Sequence, residues 1–287
     1  KKRMEKAIEF VKDDPSIYAI KEALHTMDKD DPISFSLWGY QEDLDKITEE
    51  SLYKYYEKIL KTNKIDIFIV GNFDRETIFN LFKEKFTINT IKMEKFEPFI
   101  TYTKPIKEKI EEKEIKALQQ SRLCMIYKVL NISLYERRYV MPLFNAVFGS
   151  DANSRLFSNV REKESLAYSI HSTIHNPNSI MIVDAGIDQK NYNKTVKIIK
   201  TELKEMKKVT DLELSNAKKE IISALDTILD APGGIINYHF GKEVFESDSI
   251  EKRKENYLNV TKKDIISFAN KVKVAMIYHL KGETYEE

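Results

Sequence analysis

The chain has 287 residues, of which 42% are hydrophobic and 32% charged, a balance typical of a soluble globular protein and too apolar for a disordered one. Lys and Arg (47) nearly cancel Asp and Glu (46), so the net charge of +1 provides no global field to attract nucleic acid or an anionic membrane. No stretch approaches the ~20 apolar residues of a membrane span. The single cysteine, Cys124, lies in an apolar run and is predicted to be a buried, reduced thiol, which suits a cytoplasmic setting.

Helical spacing of apolar residues dominates the first part of the chain. Two amphipathic runs, separated by Pro15, predict two helices. Thr48 predicts the N-cap of a third helix, which would bury a stripe of Leu52, Tyr55, Tyr56 and Ile59. Residues 65–70 are rich in β-branched and aromatic side chains and predict a strand, and Asp74 predicts the cap of a helix that follows it.

Residues 98–114 contain two prolines and a run of charges at 107–113, which predict a solvated connector. We therefore expect two domains, at residues 1–97 and 115–287. Both end in the same order of elements, a capped helix, a strand and a glycine turn, as in ITEESLYKYYEKIL…IDIFIVG and VTKKDIISFANKV…VAMIYHLKG. The second copy has many more residues before its closing helix, and the chain opens on Lys1 without a Met. These observations predict homologous domains of which the first lacks its front half.

The second half of the chain alternates strand-like and helix-like segments. A capping box formed by Thr210 and Glu213 predicts the start of a long helix. Strands beside long helices predict an α+β fold, a mostly antiparallel sheet with helices packed on one face. The strands are expected at residues 117–129, 166–173, 180–186 and 272–280, and the helices include 134–148 and 155–163.

Residues 149–170 contain the chemistry-bearing pattern. A polar turn precedes a short helix, and Arg161 and Tyr168 lie seven residues apart across the change from helix to strand. A guanidinium and a phenolic hydroxyl placed together could hold a peptide carbonyl and stabilise the oxyanion of a tetrahedral intermediate. The alternative is structural: Arg161 pairs with Glu162 or Glu164 at the surface, and Tyr168 is a half-buried strand residue.

The string SRLFSNVREKESLAYSI resembles the signature of the pitrilysin and mitochondrial processing peptidase superfamily of zinc metallopeptidases. The stretches YEKILKTNKIDIFIVGNFD and DAGIDQKNYNKTVKIIKTELKEM are similar to further parts of that family. The resemblance implies that Arg161 and Tyr168 bind the substrate carbonyl. It also places a substrate-binding loop at Gly149, Ser150, Asn153 and Ser154, although the family's loop is glycine-rich and this turn has a single glycine.

The family's zinc ligands, in a His-x-x-Glu-His string, do not occur in this sequence. Its closest histidine pair, His171 and His175, falls in a predicted strand, where four residues span ~13 Å and cannot share one ion. We therefore expect no metal site and no cofactor in this chain. The zinc is expected in a partner subunit or in a segment preceding residue 1.

The resulting hypothesis is a peptide-binding, non-catalytic partner of an active zinc-bearing homologue, inactive alone and closest to a bacterial branch of such subunits. It would bind an extended peptide or small protein, in part along a sheet edge, within a homo- or heterodimer. Two alternatives stay open. The chain is the rear part of an active zinc endopeptidase, or it is a structural assembly subunit without a peptidase role.

Overall fold

A computed structural model describes residues 1–85, 97–115, 118 and 120–282. Helices fill the part before the predicted connector: α1 (Lys2–Asp13), α2 (Pro15–Met27), α3 (Gln41–Leu44), α4 (Glu49–Thr62) and α5 (Arg75–Lys85). The later helices are α6 (Met141–Phe148), α7 (Tyr192–Glu205), α8 (Asp211–Asp226), α9 (Pro232–Phe245), α10 (Ile250–Asn259) and α11 (Lys262–Lys271). Two π-helical segments, Glu136–Val140 and Phe157–Lys163, occur within the predicted helices 134–148 and 155–163.

The described strands form a mixed sheet in the order β1-β5-β2-β4-β3. They are β1 (Lys109–Glu114), β2 (Ser121–Val129), β3 (Ala167–His175), β4 (Ile180–Ile187) and β5 (Val272–Lys281). β1 runs parallel to β5, and the other neighbours are antiparallel. The predicted strand at 117–129 is confirmed from Ser121 onward, and part of its start lies outside the described residues.

The larger core lies between one face of the sheet and the helices α6, α8 and α11. Alternate residues of β2 project toward it, including Leu123, Met125 and Tyr127, and they meet Phe144 of α6 and Phe268 of α11. All five side chains are at most 1% exposed. The α+β class predicted from the sequence is confirmed.

The opposite face of the sheet is also covered, by α2. Ala19, Ala23 and Met27 pack against a second cluster that contains Cys124 and Tyr278. Burial raises the pKa of the Cys124 thiol, in agreement with the predicted inert cysteine. The expectation of helices on one face was too narrow, because a helix from before the connector shields the other face from water.

The segment from α4 to α5 differs from its prediction. Thr48 caps α4 with a capping box, as expected. No residue of α4 is buried, however, and Leu52, Tyr55 and Tyr56 are more than half exposed. Residues 65–70 form no strand, because no described strand lies beside them to complete a hydrogen-bonded ladder.

The predicted connector contains the edge strand β1. All six residues of β1 are exposed, in agreement with a solvated charge run, yet their backbone pairs with β5. Charged side chains on an edge strand discourage pairing with other chains. The connector is also held by the buried guanidinium of Arg137, which donates to the carbonyls of Ile100, Asn176 and Pro177. The domain boundaries themselves stay a prediction.

In the described part of the chain, no helix combines the length and apolarity needed to cross a membrane.

Candidate functional site

The turn after α6 is fastened to the edge strand β3. The Gly149 carbonyl accepts a hydrogen bond from the Ser172 backbone N–H at 2.6 Å. The Asn145 side chain brackets the same residue, donating to the Ser172 carbonyl at 3.1 Å and accepting from its hydroxyl at 2.6 Å. A Cβ atom at position 149 would lie 2.6 Å from Ser172 Oγ and 2.7 Å from Leu156 Cδ1. Glycine is therefore required here by close approach to β3.

The other predicted substrate-binding residues of this turn are mostly engaged in its own structure. The Ser154 side chain is buried, and its hydroxyl donates to the Asp151 carbonyl at 2.5 Å. The Asn153 backbone N–H donates to Asp151 Oδ1, which leaves the exposed Asn153 side chain available. Ser150 Oγ is buried without a hydrogen-bond partner in the described residues. A substrate-binding role for these residues remains a prediction.

Arg155, within the same sequence motif, is an anchor that the sequence reading did not identify. Its guanidinium binds both carboxylate oxygens of Glu213 on α8, at 2.6 and 2.9 Å, and also donates to the Glu205 carbonyl. Although partial burial opposes the shift, the hydrogen bonds from Arg155 and from the Thr210 cap lower the pKa of Glu213 to about 2. A capping glutamate 58 residues along the chain from Arg155 gives no local signal of this contact.

Arg161 does not form an ion pair with Glu162 or Glu164, which was the structural alternative predicted from the sequence. Glu164 pairs instead with Lys194, at 2.7 Å. The Arg161 side chain is exposed, and its guanidinium lies 4.6 Å from the centre of the Phe157 ring. It makes no ion pair or hydrogen bond within the described ranges, so its charged donors are available to a ligand.

Tyr168 lies where the short helix gives way to β3. The chain reverses through Ser165, whose φ is 51°, and the Leu166 N–H donates to the Val160 carbonyl at 3.0 Å. This bond brings the segments carrying Arg161 and Tyr168 together. Tyr168 is the extra residue of a β-bulge between β3 and β4, and it is 60% exposed rather than half-buried.

The Tyr168 hydroxyl already has a partner. It donates to Asp188 Oδ1 at 2.9 Å, and this hydrogen bond raises the pKa of the phenol. The tyrosine therefore stays protonated, with its proton directed to Asp188 and its oxygen lone pairs toward solvent.

β3 is an edge of the sheet, and its outer backbone groups are only partly used. The backbone N–H and C=O of Ser172 point away from β4, and the N–H donates to Gly149. Backbone groups alternate along a strand, so the N–H and C=O groups of Ile170 and Ile174 also point away from β4. No described strand pairs with them. The outward groups of Ile170 and Ile174 therefore have no strand partner among the described residues, although Ile170 as a residue is only 5% exposed.

Within the described residues, no group of three or more His, Cys, Asp or Glu side chains could hold a metal ion. His171 and His175 lie on β3 as predicted, four residues apart along an extended strand. The residues that the structure describes do not fit a catalytic zinc.

The family model described as "Peptidase M16 inactive domain" matches residues 46–221. The chain belongs to the M16 peptidase family. The resemblance recognised in residues 154–170 is thereby confirmed.

Among curated M16 relatives, a "Probable inactive metalloprotease YmfF" of Bacillus subtilis is 30% identical over 98% of this chain. An "Uncharacterized zinc protease YmxG" of the same organism is 25% identical over 69% of it. The chain spans 66% of the length of the first relative and 48% of the second. A solved structure of a conserved protein from Enterococcus faecalis V583 superimposes on the whole chain with a TM-score of 0.86 and 28% identity, covering 68% of that protein.

Proposed function

We propose that this M16 chain binds an extended peptide at the free edge of β3 and presents it to a zinc-bearing homologue, itself acting as the non-catalytic partner. Arg161 is the principal donor to the peptide carbonyl. Tyr168 and the outer backbone groups at Ile170 complete the site.

The observation that carries the proposal is the unpaired guanidinium of Arg161 next to an unpaired strand edge. Exposed arginines commonly pair with nearby carboxylates, yet Glu164 is committed to Lys194. An extended peptide satisfies its own backbone by pairing with a free strand, and a charged donor at the end of that strand fixes its register.

Tyr168 has a different role from the one expected at first. Because its proton is held by Asp188, its oxygen is an acceptor for a peptide N–H rather than a second donor to the carbonyl. Arg161 and Tyr168 then bind the C=O and the N–H that one residue of an extended peptide directs to the same side, which favours recognition of the backbone over recognition of side chains.

The assignment of a partner role is supported by two observations. The described residues do not fit a metal centre, and the 30% identical relative is named as a probable inactive metalloprotease. In this division of labour the cleavage chemistry belongs to the homologue, and the present chain contributes substrate binding.

The test is peptide binding by fluorescence anisotropy, with fluorescein-labelled unstructured peptides and the variants Arg161→Ala and Tyr168→Phe. Loss of a charged hydrogen bond at Arg161 should weaken binding about tenfold or more, and loss of the Tyr168 oxygen should weaken it by a smaller factor. The matched controls are Arg75→Ala and Tyr53→Phe, both at exposed positions far along the chain.

Equal affinities for Arg161→Ala, Arg75→Ala and the unaltered chain would contradict the proposal. The variants should keep the unfolding temperature of the parent, because both side chains are exposed. A fall in affinity with a lowered unfolding temperature would indicate a structural effect and would also count against a direct contact.

A further inference from the structure

A cavity on the α2 face of the sheet is lined with positive charge. It has a volume of about 460 Å³ and lies between residues 101–107, the end of α2 and the sheet. Four lysines contribute to its lining, Lys104, Lys107, Lys109 and Lys128, and no acidic residue of the described chain does. A concave site with one sign of charge concentrates ligands of the opposite sign.

Lys128 is the one buried lysine among the four that line the cavity, with 8% of its surface exposed. Its ammonium lies 4.2 Å from the centre of the Tyr102 ring and 3.6 Å from Asp31 Oδ2. The same Asp31 oxygen accepts a 2.8 Å hydrogen bond from the Tyr102 hydroxyl, and Oδ1 accepts from the Ile33 N–H. The carboxylate is thus largely used by other donors, and the Lys128 ammonium has this ion pair but no hydrogen bond to a described residue.

The other lysines differ in how they are held. Lys109 is fixed, because its ammonium donates to the Thr26 and Met27 carbonyls at the carboxyl end of α2. Lys104 and Lys107 are exposed and have no anionic partner among the described residues. Lys104 and Lys107 thus bring two exposed ammonium groups without an anionic partner in the described residues to one cavity, where a bound anion would reduce their mutual repulsion.

The other lining residues indicate which chemical groups the ligand has besides its negative charge. Tyr102, Pro105, Ile106 and Ala275 supply apolar surface, and the threonines at 101 and 103 supply hydroxyls. No arginine lines the cavity, so its charges are compact ammonium groups, which bind an anion such as phosphate as point charges. The volume is in the range of pockets for small organic ligands.

We infer that this cavity is a binding site for a phosphate ester with a small apolar or planar organic group. The phosphate lies among Lys104, Lys107 and Lys128, and the organic group lies on the Tyr102 and Ile106 side. The site is separate from the β3 edge. Arg122 of β2 pairs with Gly186 of β4, which in turn pairs with Ser169 beside the bulge. Lys128 lies six residues further along β2 than Arg122, which corresponds to ~20 Å along the strand.

Isothermal titration calorimetry at low ionic strength tests the inference, with phenyl phosphate, inorganic phosphate and phenol as probes. Phenyl phosphate should bind most tightly, inorganic phosphate more weakly, and phenol without measurable heat. The double variant Lys104→Gln/Lys107→Gln should lose about tenfold or more in affinity for phenyl phosphate. The matched control, Lys190→Gln/Lys207→Gln, removes the same charge from exposed positions outside the cavity and should bind as the parent does.

Equal loss of affinity for phenyl phosphate in both double variants would overturn the site, because the loss would then reflect the net charge of the protein alone. Absence of binding by both phosphates, or binding of phenol as tight as that of phenyl phosphate, would also overturn it. Equal affinities for the two phosphates would exclude an organic ester as the ligand. Peptide binding at β3 is unaffected by the lysine variants, so failure here is distinguishable from failure of the proposed function.

Discussion

At the scale of single residues, two arginines of one short motif have opposite roles. Arg155 is embedded in hydrogen bonds to Glu213 and to the end of α7, whereas Arg161 is exposed and unpaired in the described structure. Both stand in the family-like string that drew attention to this segment. The sequence could identify the motif but could not separate its anchor from its ligand-binding residue, because the partner of Arg155 is on a helix distant along the chain.

The Arg155–Glu213 pair predicts a pH-dependent contribution to stability. The pKa of Glu213 is lowered from its ordinary 4.5 to about 2, so the contribution is complete above pH 4.5 and is lost as the pH falls toward 2. Arg155→Gln should reduce the free energy of unfolding by about 1–3 kcal/mol near neutral pH. Urea denaturation should show this difference shrinking below pH 4.5. A difference independent of pH would mean that the ion pair is not its source.

At the scale of elements, the Gly149 turn is both the cap of α6 and a bracket on β3. Its carbonyl occupies the outward N–H of Ser172, and this contact limits the free strand edge to the part near Tyr168. The glycine is thus required for packing, whereas in the family pattern the loop is expected to be flexible. Hydrogen bonds from Asn153 and Ser154 to Asp151 stabilise the turn.

Gly149→Ala should therefore destabilise the protein by about 1–3 kcal/mol, since the new methyl overlaps Ser172 and Leu156. Gly233→Ala is the matched control. Position 233 lies in α9 with nothing within 4 Å of an added Cβ, and alanine there should be neutral or stabilise by ~0.5–1 kcal/mol. Thermal unfolding of the two variants checks the pair. Similar unfolding temperatures for the two variants would contradict a close contact between Gly149 and β3.

The elements also show what the sequence could predict. The caps at Thr48, Thr210 and Thr261 were identifiable because a capping box involves only residues three positions apart. The failures involve distant partners. Residues 65–70 have strand-like composition without a neighbouring described strand, and the charged stretch at β1 becomes a strand because β5 lies beside it.

In the candidate site, Arg161 and Tyr168 were identified from the sequence motif. The contacts among Asn145, Ser172 and Gly149 and the Tyr168–Asp188 hydrogen bond were not, because they join residues that are distant along the chain.

At the scale of the whole molecule, the sheet with α2 and the later helices forms a well-buried unit, whereas α4 presents apolar side chains to solvent. Leu52, Tyr56 and Leu60 lie at helical spacing and are 58%, 56% and 47% exposed. Such a stripe on an otherwise charged surface is typical of an interaction face.

The chain is therefore expected to self-associate through α4. Sedimentation velocity at increasing concentration should show a dimer, and Leu52→Lys/Tyr56→Lys should shift the equilibrium to monomer. Two lysines at exposed positions of α8, Ser215→Lys and Asn216→Lys, add the same charge as the α4 variant and should leave the dimer intact. A monomer at all concentrations would exclude this face as a self-association surface.

Residue-resolved amide hydrogen exchange by NMR measures most directly whether a peptide adds to the outer edge of β3. Addition of a saturating peptide should slow exchange of the outward Ile170 N–H, which is unpaired in the described structure. The Ser172 N–H, already bonded to Gly149, should change little, and Arg161→Ala should abolish the effect at Ile170. Bound peptide without any protection at Ile170 would contradict the account.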